Sequence, residues 1–489
     1  MYLISALVLL AIIMAAKISN KWSVPLVVIS LLAGILFGSD ILGVVYLDNF
    51  ILSRQMADFA LVFVLFIGGF ETKKERLQSV FVPSMILATV GVALTAALTG
   101  ISLHYLLKLD WLTSILIGCV ISSTDASTVF SILRSRSLNP KLASVVEIES
   151  ATNDPMAIVL TSIAIQITIS QMQHPANLVL TLLWQITGGI LIGLLIGKIA
   201  VFLFNYLKTL DKGYFYLYMI SIILLSYGVA DFFLASGIIS AFFAGYFIGN
   251  SNIPYKPTIS TLLEALSTIS NVIIFVLLGL LVFPNEFYNV YKTGIILFLI
   301  ITFFARPVAV FSCLFFTKYN VKEKIFLSWS GLRGAVPIVL ATYLAAANVP
   351  GSRGIFNIVF FAVLLSMIIQ GTTLVKLADF LKLSVKAKPK PRQVMELITL
   401  QNSELELIEI TIDENTYTGS ALVSSLLLPP GSTITMLNRN ENIIAPRGNT
   451  KIIAGDILYV LVKTSDIEAI TNELLTHFEL IEKAHHQAK

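Results

Sequence analysis

The sequence predicts an all-α polytopic membrane protein with about thirteen membrane-spanning helices, followed by a small α+β domain. Three observations lead there. The first is a shortage of charge: 13% of the 489 residues are Asp, Glu, Lys or Arg and 56% are hydrophobic, whereas a soluble chain carries about 25% charged residues. The second is the place of that shortage. Of the 33 Lys and Arg and 29 Asp and Glu, 37 fall in residues 1–377 (about 10% of that stretch) and 25 in residues 378–489 (about 22%). The third is a series of nearly charge-free runs, to be compared with the ~20 apolar residues that an α-helix needs to cross a bilayer. A soluble enzyme, a secreted disulfide scaffold and a nucleic-acid binder all fit poorly. The net charge of +4 is too small to suggest a polyanion partner, and Cys119 and Cys313 sit inside apolar runs without metal or disulfide spacing.

Taken in order, the runs cover residues 1–16, 22–39, 55–70, 77–103, 111–133, 142–170, 175–205, 213–230, 232–250, 260–283, 293–317, 324–347 and 354–375. The first lacks the basic flank and small-residue cleavage site of a signal peptide, so it reads as a retained helix. Orientation follows from Lys and Arg. Loops after odd-numbered runs carry Lys17, Lys21, Lys73, Lys74, Arg76, Arg134, Arg136, Lys141, Lys208, Lys212, Lys256, Lys318, Lys322 and Lys324. Loops after even-numbered runs carry only Arg54, Lys108, Lys292 and Arg353. This asymmetry places the N-terminus outside and the tail in the cytoplasm.

The chain then divides into a membrane domain (1–377), a basic, proline-bearing linker (378–402), a cytosolic domain (403–480) and a short tail (481–489). The linker holds Lys382, Lys386, Lys388, Lys390 and Arg392 and suits contact with lipid headgroups. In the cytosolic domain, Leu405–Ile412 alternates acidic and apolar residues as a strand does. A short helical stretch ends at Pro429-Pro430-Gly431, and strands are expected at Thr433–Asn438, Ile443–Arg447 and Asp456–Val462, the first two joined by a turn at Asn440-Glu441-Asn442. A helix near Ser465–His477 closes the domain. So small a core points to dimerisation.

Ionisable groups inside the runs carry the functional information, because each costs several kcal/mol unless paired or hydrated. The most informative, inside or at the edge of a run, are Glu71, Asp125, Glu147, Glu149, Asp154, Arg306 and Arg333. Asp154 lies near the middle of its run beside the neutral Asn153 and Ser150 rather than a counter-charge. Ser150 and Asp154, four apart, share a helix face, and Pro155 frees the carbonyl of Ala151. Carboxylate, hydroxyl and carbonyl oxygens suit a hard monovalent cation. The stretch Ile121-Ser122-Ser123-Thr124-Asp125-Ala126-Ser127-Thr128 reads as an unwound crossing, with Asp125 neutralising a helix N-terminus and Thr124 facing the ion. Gly331-Leu332-Arg333-Gly334-Ala335-Val336-Pro337 interrupts the twelfth run in the same way. Two broken spans in corresponding positions are the mark of an inverted-repeat transporter.

Glu149-Ser150-Ala151-Thr152-Asn153-Asp154 resembles the E-S-x-x-N-D motif of NhaP-type cation/proton antiporters, in the sodium/proton exchanger superfamily. Ser123-Thr124-Asp125, Ala305-Arg306 and Gly331-Leu332-Arg333-Gly334-Ala335 resemble three further elements of that family in the same order, although Ala126 stands where its members usually have proline. The resemblance implies that Asp154 carries ion and proton in turn, with Ser150, Thr124 and Glu71 as further cation ligands and Asp125 and Asn153 shaping the site. It implies that Glu149 pairs with Arg306 and that Arg333 sits near Asp125 and the broken-helix ends. One carboxylate that holds either a cation or a proton couples the two fluxes by competition, and with Asn153 in place of a second acid the exchange is expected to be electroneutral.

Leu428-Pro429-Pro430-Gly431, Ala445–Thr450 and Ala454-Gly455-Asp456 resemble the C-terminal lobe of potassium-conductance regulators, the TrkA-C or RCK-C module. That resemblance implies a dimer through both membrane and cytosolic domains, a cyclic dinucleotide or other nucleotide as regulatory ligand, and potassium as the exchanged cation. The expectation is therefore a potassium/proton antiporter in the cell membrane, with sodium/proton exchange as the alternative. A regulator-gated cation channel is the reading from another class, but no Thr-Val-Gly-Tyr-Gly filter loop is present. Neither a catalytic constellation nor a resident cofactor is expected.

Overall fold

The computed structural model describes residues 2–19, 26–125, 129, 137, 138, 140–170, 175–206, 212–385, 391–395, 405–412, 417–439, 442–463, 466, 467, 469, 470, 473, 479 and 480. Lys21, Ala126, Ser127, Thr128, Arg134, Arg136, Lys208, Lys386, Lys388, Lys390, Asn440, Glu441 and much of the helix expected near Ser465–His477 lie outside them. Two compact units divide at Ser384/Val385.

The apolar runs of the first unit are helices because an unbroken apolar segment in lipid must satisfy every backbone group internally. In chain order they are α1 (Tyr2–Ser19), α2 (Leu26–Phe37), α3 (Phe50–Glu71), α4 (Lys74–Ile86), α5 (Val92–Leu107), α6 (Trp111–Val120), α7 (Pro140–Ser170) and α8 (Pro175–Tyr206). They continue as α9 (Lys212–Phe232), α10 (Gly237–Gly249), α11 (Lys256–Leu280), α12 (Phe287–Ile300), α13 (Arg306–Cys313), α14 (Val321–Trp329), α15 (Ala335–Ala346) and α16 (Ser352–Phe380). Single π-turns, Leu87–Gly91 and Ile301–Ala305, splice α4 to α5 and α12 to α13. Among the described residues, seven helical stretches are long and apolar enough to cross a membrane: Phe50–Glu71, Val80–Leu107, Leu183–Tyr206, Gly213–Phe232, Lys256–Leu280, Pro284–Cys313 and Ser352–Phe380. The α2, α6, α10 and α15 helices are shorter apolar ones, and α7 is 31 residues long but carries Glu147, Glu149 and Asp154. Arg54, which the sequence groups with the loops, lies a turn inside α3.

The helices pack as two layers. The first holds α1–α3 and α8–α11, with α3 against α10 and α11 at its centre, and the second holds α4–α7 and α12–α16. Close backbone approach builds the first layer: a Cβ on Gly245 or Gly249 would strike the carbonyls of Phe66 or Phe70 on α3, the small-residue packing that stands in for a hydrophobic driving force in lipid. The α3 and α15 helices make the main contact between the layers. Large side chains such as Leu191, Phe202, Leu217 and Phe232 are exposed on the outside, as befits a lipid-facing surface.

The second unit is built on a five-stranded antiparallel sheet. Its order is Pro391–Met395, Leu405–Thr411, Ile457–Lys463, Thr433–Arg439 and Asn442–Ile444. Alternation decides which side chains enter the core: Leu458, Val460 and Val462 point inward with Ile408, Ile410 and Leu437. A second pairing joins Ser420–Leu422 to Lys451–Ile453, and Val423–Ser425 forms a 3₁₀ turn. Three differences from the sequence reading stand out. Pro391–Met395 lies within the stretch read as linker yet pairs with Leu405–Thr411. The Lys451–Ile453 strand is too short to show alternation. Ala445–Arg447 are not strand, because the pairing with Thr433–Arg439 ends at Ile444.

Candidate ion-binding site

Two interrupted helices set up the site. The α6 helix is capped at its start by Asp110, whose side chain accepts from the Thr113 N–H at 2.9 Å. That backbone hydrogen bond holds the Asp110 carboxyl below the usual carboxylate range. At the other end, Ser122 Oγ donates to the Cys119 carbonyl at 2.7 Å, so a side chain competes for a helical acceptor and the helix stops. Residues 123–125 run on as non-helical chain. The α14 helix opens with an Asn320/Glu323 capping box and ends at Trp329, residues 331–334 are non-helical, and α15 starts after Gly334.

The two non-helical segments bind each other. The Asp125 N–H donates to the Leu332 carbonyl at 2.8 Å. Arg333 Nη1 donates to the Ser122 and Ser123 carbonyls, each at 2.7 Å. The guanidinium thus meets the negative end of α6, while the Asp125 carboxylate lies at Gly334, the N-cap of α15. Each charge complements the dipole of the opposite broken helix. A Cβ on Gly334 would collide with the Asp125 carboxylate, so only glycine admits it. From α16, Ser366 Oγ accepts from the Arg333 N–H at 3.2 Å and donates to Gln370 Oε1. Gln370 Nε2 in turn donates to the Trp329 carbonyl at 3.2 Å.

The α7 helix clamps the first non-helical segment. Ser150 Oγ donates to the Thr124 carbonyl at 2.7 Å, and Asn153 Nδ2 donates to Thr124 Oγ1. The Thr124 N–H approaches Asn153 Oδ1 at 3.4 Å. Asp154 accepts from Ser123 Oγ. Ser123, Thr124, Ser150 and Asn153 are all buried, and α7 continues unbroken through Pro155. Deeper in the second layer, Arg306 Nη2 lies 2.7 and 2.8 Å from the two oxygens of Glu149, with both side chains 98% or more inaccessible at Arg306 and nearly so at Glu149.

Asp154, Asn153, Ser150, Thr124 and Asp125 are therefore gathered at one crossing, where a hydroxyl faces the Asp154 carboxylate. Glu71 is not brought there: it is exposed at the end of α3, with Glu264 and Glu147 as its charged neighbours. Arg333 is held by carbonyls rather than by a carboxylate ion pair. Ser150 Oγ is engaged by the Thr124 carbonyl and Thr124 Oγ1 by Asn153, and it is Ser123 whose hydroxyl meets Asp154. The signal for Ser123 was its place in the polar stretch 121–128, but nothing in the spacing separates it from Thr124.

Comparisons with known proteins add the following. Residues 5–379 match the sodium/hydrogen exchanger family (transmembrane), and residues 407–475 match the TrkA-C domain. The K(+)/H(+) antiporter NhaP2 of Shewanella oneidensis is 34% identical over 96% of this chain and 82% of its own length. The K(+)/H(+) antiporter NhaP of Alkalimonas amylolytica is 32% identical over 94% of this chain and 81% of its own. The structure of the sodium proton antiporter MjNhaP1 from Methanocaldococcus jannaschii superimposes with a TM-score of 0.67 at 26% identity, over 78% of this chain and 99% of that one.

Proposed function

The chain belongs to the sodium/hydrogen exchanger family and carries a TrkA-C domain, and from that premise we propose that it exchanges potassium for protons across the cell membrane by competition at Asp154. The observation that carries this reading is the place of that carboxylate: mid-helix in α7, at the crossing of two broken helices, with a hydroxyl as its partner. Such a group binds a cation or a proton, never both, and returns loaded in either case. One charge moves each way, so exchange is electroneutral. Asp154 and Ser123 are the direct ligands in this reading. Thr124, Ser150 and Asn153 hold the segment that presents them, Asp125 and Arg333 hold the crossing, and Glu149 with Arg306 form a structural pair.

Potassium is favoured over sodium because the two antiporters described above, each more than 30% identical to this chain and aligned along the tail as well, are named for potassium. Sodium is the second reading, supported by the solved sodium proton antiporter of the same fold. Counting the short and broken helices, the first unit makes about thirteen crossings, α6 and the α14–α15 pair being the broken two of an inverted repeat. The ends that carry Lys73, Lys74, Lys256, Lys318 and Lys322 face the cytoplasm, with the tail, and the N-terminus lies outside. The TrkA-C domain pairs two copies into a homodimer and takes a nucleotide ligand. The test is proton flux into proteoliposomes driven by potassium or by sodium. Potassium-driven flux without current supports the proposal, a sodium-only response favours the second reading, and a current contradicts electroneutrality.

A further inference from the structure

A second polar cluster lies away from the Asp154 crossing, in the contact between the two layers. Tyr343 on α15 donates its hydroxyl hydrogen to Asp58 Oδ1 on α3. Arg54, one turn earlier on α3, places its guanidinium 4.2 Å from the centre of the Tyr343 ring and 3.6 Å from Asp58. Tyr343 is only 6% exposed, so its hydroxyl is committed to this contact. The cluster joins α3 of the first layer to α15, which is half of a broken crossing. Nearer the same surface, Arg353 of α16 reaches Asp48 in the loop before α3 at 3.4 Å, and Glu286 at 2.9 Å. On the charge asymmetry argued above, this is the outer half of the molecule.

The opposite half of the layer contact is different. A cavity of about 60 Å³, room for several waters, opens between Phe242 and Tyr246 of α10 on one side and Leu77, Phe81, Ile148 and Thr152 of α4 and α7 on the other. Thr152 is two residues from Asp154. A hydrogen-bonded side-chain cluster thus bridges the layers in the outer half, whereas in the inner half a small cavity lies between them and the bridge is the Asn250 side chain accepting from the Lys74 N–H.

We propose that Asp58, Tyr343 and Arg54 form the outer gate of the exchange cycle, a latch that closes the path to Asp154 from outside and must break when the layers rock to expose it. The proposal rests on the alternating-access reading of the function. In such a cycle each state needs its own stabilising contacts, and removing a contact made in only one state shifts the population toward the other. A tyrosine hydroxyl on a carboxylate suits a latch because the bond is strong enough to bias the equilibrium, yet either partner can turn to water once the layers separate.

The test uses the full chain in proteoliposomes, in a Cys119→Ala, Cys313→Ala background, with Ala57→Cys as a reporter beside Asp58. A membrane-impermeant thiol reagent is added from the outside. Losing one hydrogen bond to a charged group in Tyr343→Phe, which keeps the ring and its packing, is expected to raise the labelling rate about five-fold or more. In a second arm, Asp58→Cys with Tyr343→Cys is bridged by a short cleavable thiol crosslinker, which is expected to reduce exchange to about a tenth or less of the unbridged rate, with recovery on cleavage. Unchanged labelling in Tyr343→Phe, or a bridged protein that exchanges at the unbridged rate, overturns the gate. Labelling is read without any ion flux, so it fails separately from the Asp154 assignment, which fails if Asp154→Asn still transports.

Discussion

Asp154 can be read from sequence because it breaks a rule: a carboxylate in the middle of an apolar run with no counter-charge within a turn. Its partner Ser123 cannot, because which of three adjacent hydroxyls meets Asp154 depends on how the chain leaves the helix. The roles predict different outcomes. Asp154→Asn should abolish exchange in vesicles, since no proton or cation charge can be neutralised there. Ser123→Ala should leave exchange intact with a KM for the cation raised roughly ten-fold or less, the loss of one hydrogen bond to a charged group. The Glu149–Arg306 pair belongs to stability instead. In Glu149→Gln, the buried guanidinium loses its counter-charge at a cost of about 3–5 kcal/mol, read as a lowered melting temperature of the purified protein. Asp58 shows the limit of sequence reading. With Arg54 four residues before it, the pair looks like the solvated start of a helix, and only the packing of α3 on α15 turns it into an interlayer contact.

At the scale of elements, the broken crossings left plain marks: hydroxyls and an aspartate inside 121–128, glycines and a proline inside 331–337. What the sequence does not show is that the two segments are reciprocal, Arg333 serving the end of α6 and Asp125 the start of α15. That arrangement predicts that Gly334→Ala, harmless on propensity alone, drives a methyl group into the Asp125 carboxylate and disrupts the crossing. The variant should still insert and reach the membrane, yet exchange at about a tenth of the normal rate or less, as a misplacement of this size costs in a preorganised site. The π-turns at 87–91 and 301–305 carry no comparable signal, since one extra residue in a helix alters neither hydropathy nor length enough to be seen. In the second unit, alternation reveals the strands that face the core, while Lys451–Ile453, three residues long, is fixed only by its partner.

For the whole molecule, the supply of charge rises after residue 377, and the structure divides the chain into two compact units at Ser384/Val385. The second unit has its own polar anchor. Arg439 makes two hydrogen bonds to Asp456, at 2.7 and 2.8 Å. The Asp456 side chain is fully buried and holds the turn after Lys451–Ile453 through the Ile453 N–H. This pairing holds Arg439 above its ordinary pKa. Arg439→Ala should therefore destabilise that unit by about 2 kcal/mol, seen in its chemical denaturation, without touching ion exchange itself. If the unit regulates transport, a chain lacking residues 391–489 should exchange ions but lose its response to nucleotide.

Competition of potassium and a proton for one carboxylate is read in the potassium dependence of exchange across pH, measured in proteoliposomes at zero membrane potential. Below the pH at which the site is half protonated, each unit of acidification should raise the KM for potassium about ten-fold while the maximal rate, reached at saturating potassium, changes little, and Asp154→Asn should show no exchange at any pH. A KM for potassium that is independent of pH, or exchange that survives in Asp154→Asn, would contradict competition at this site.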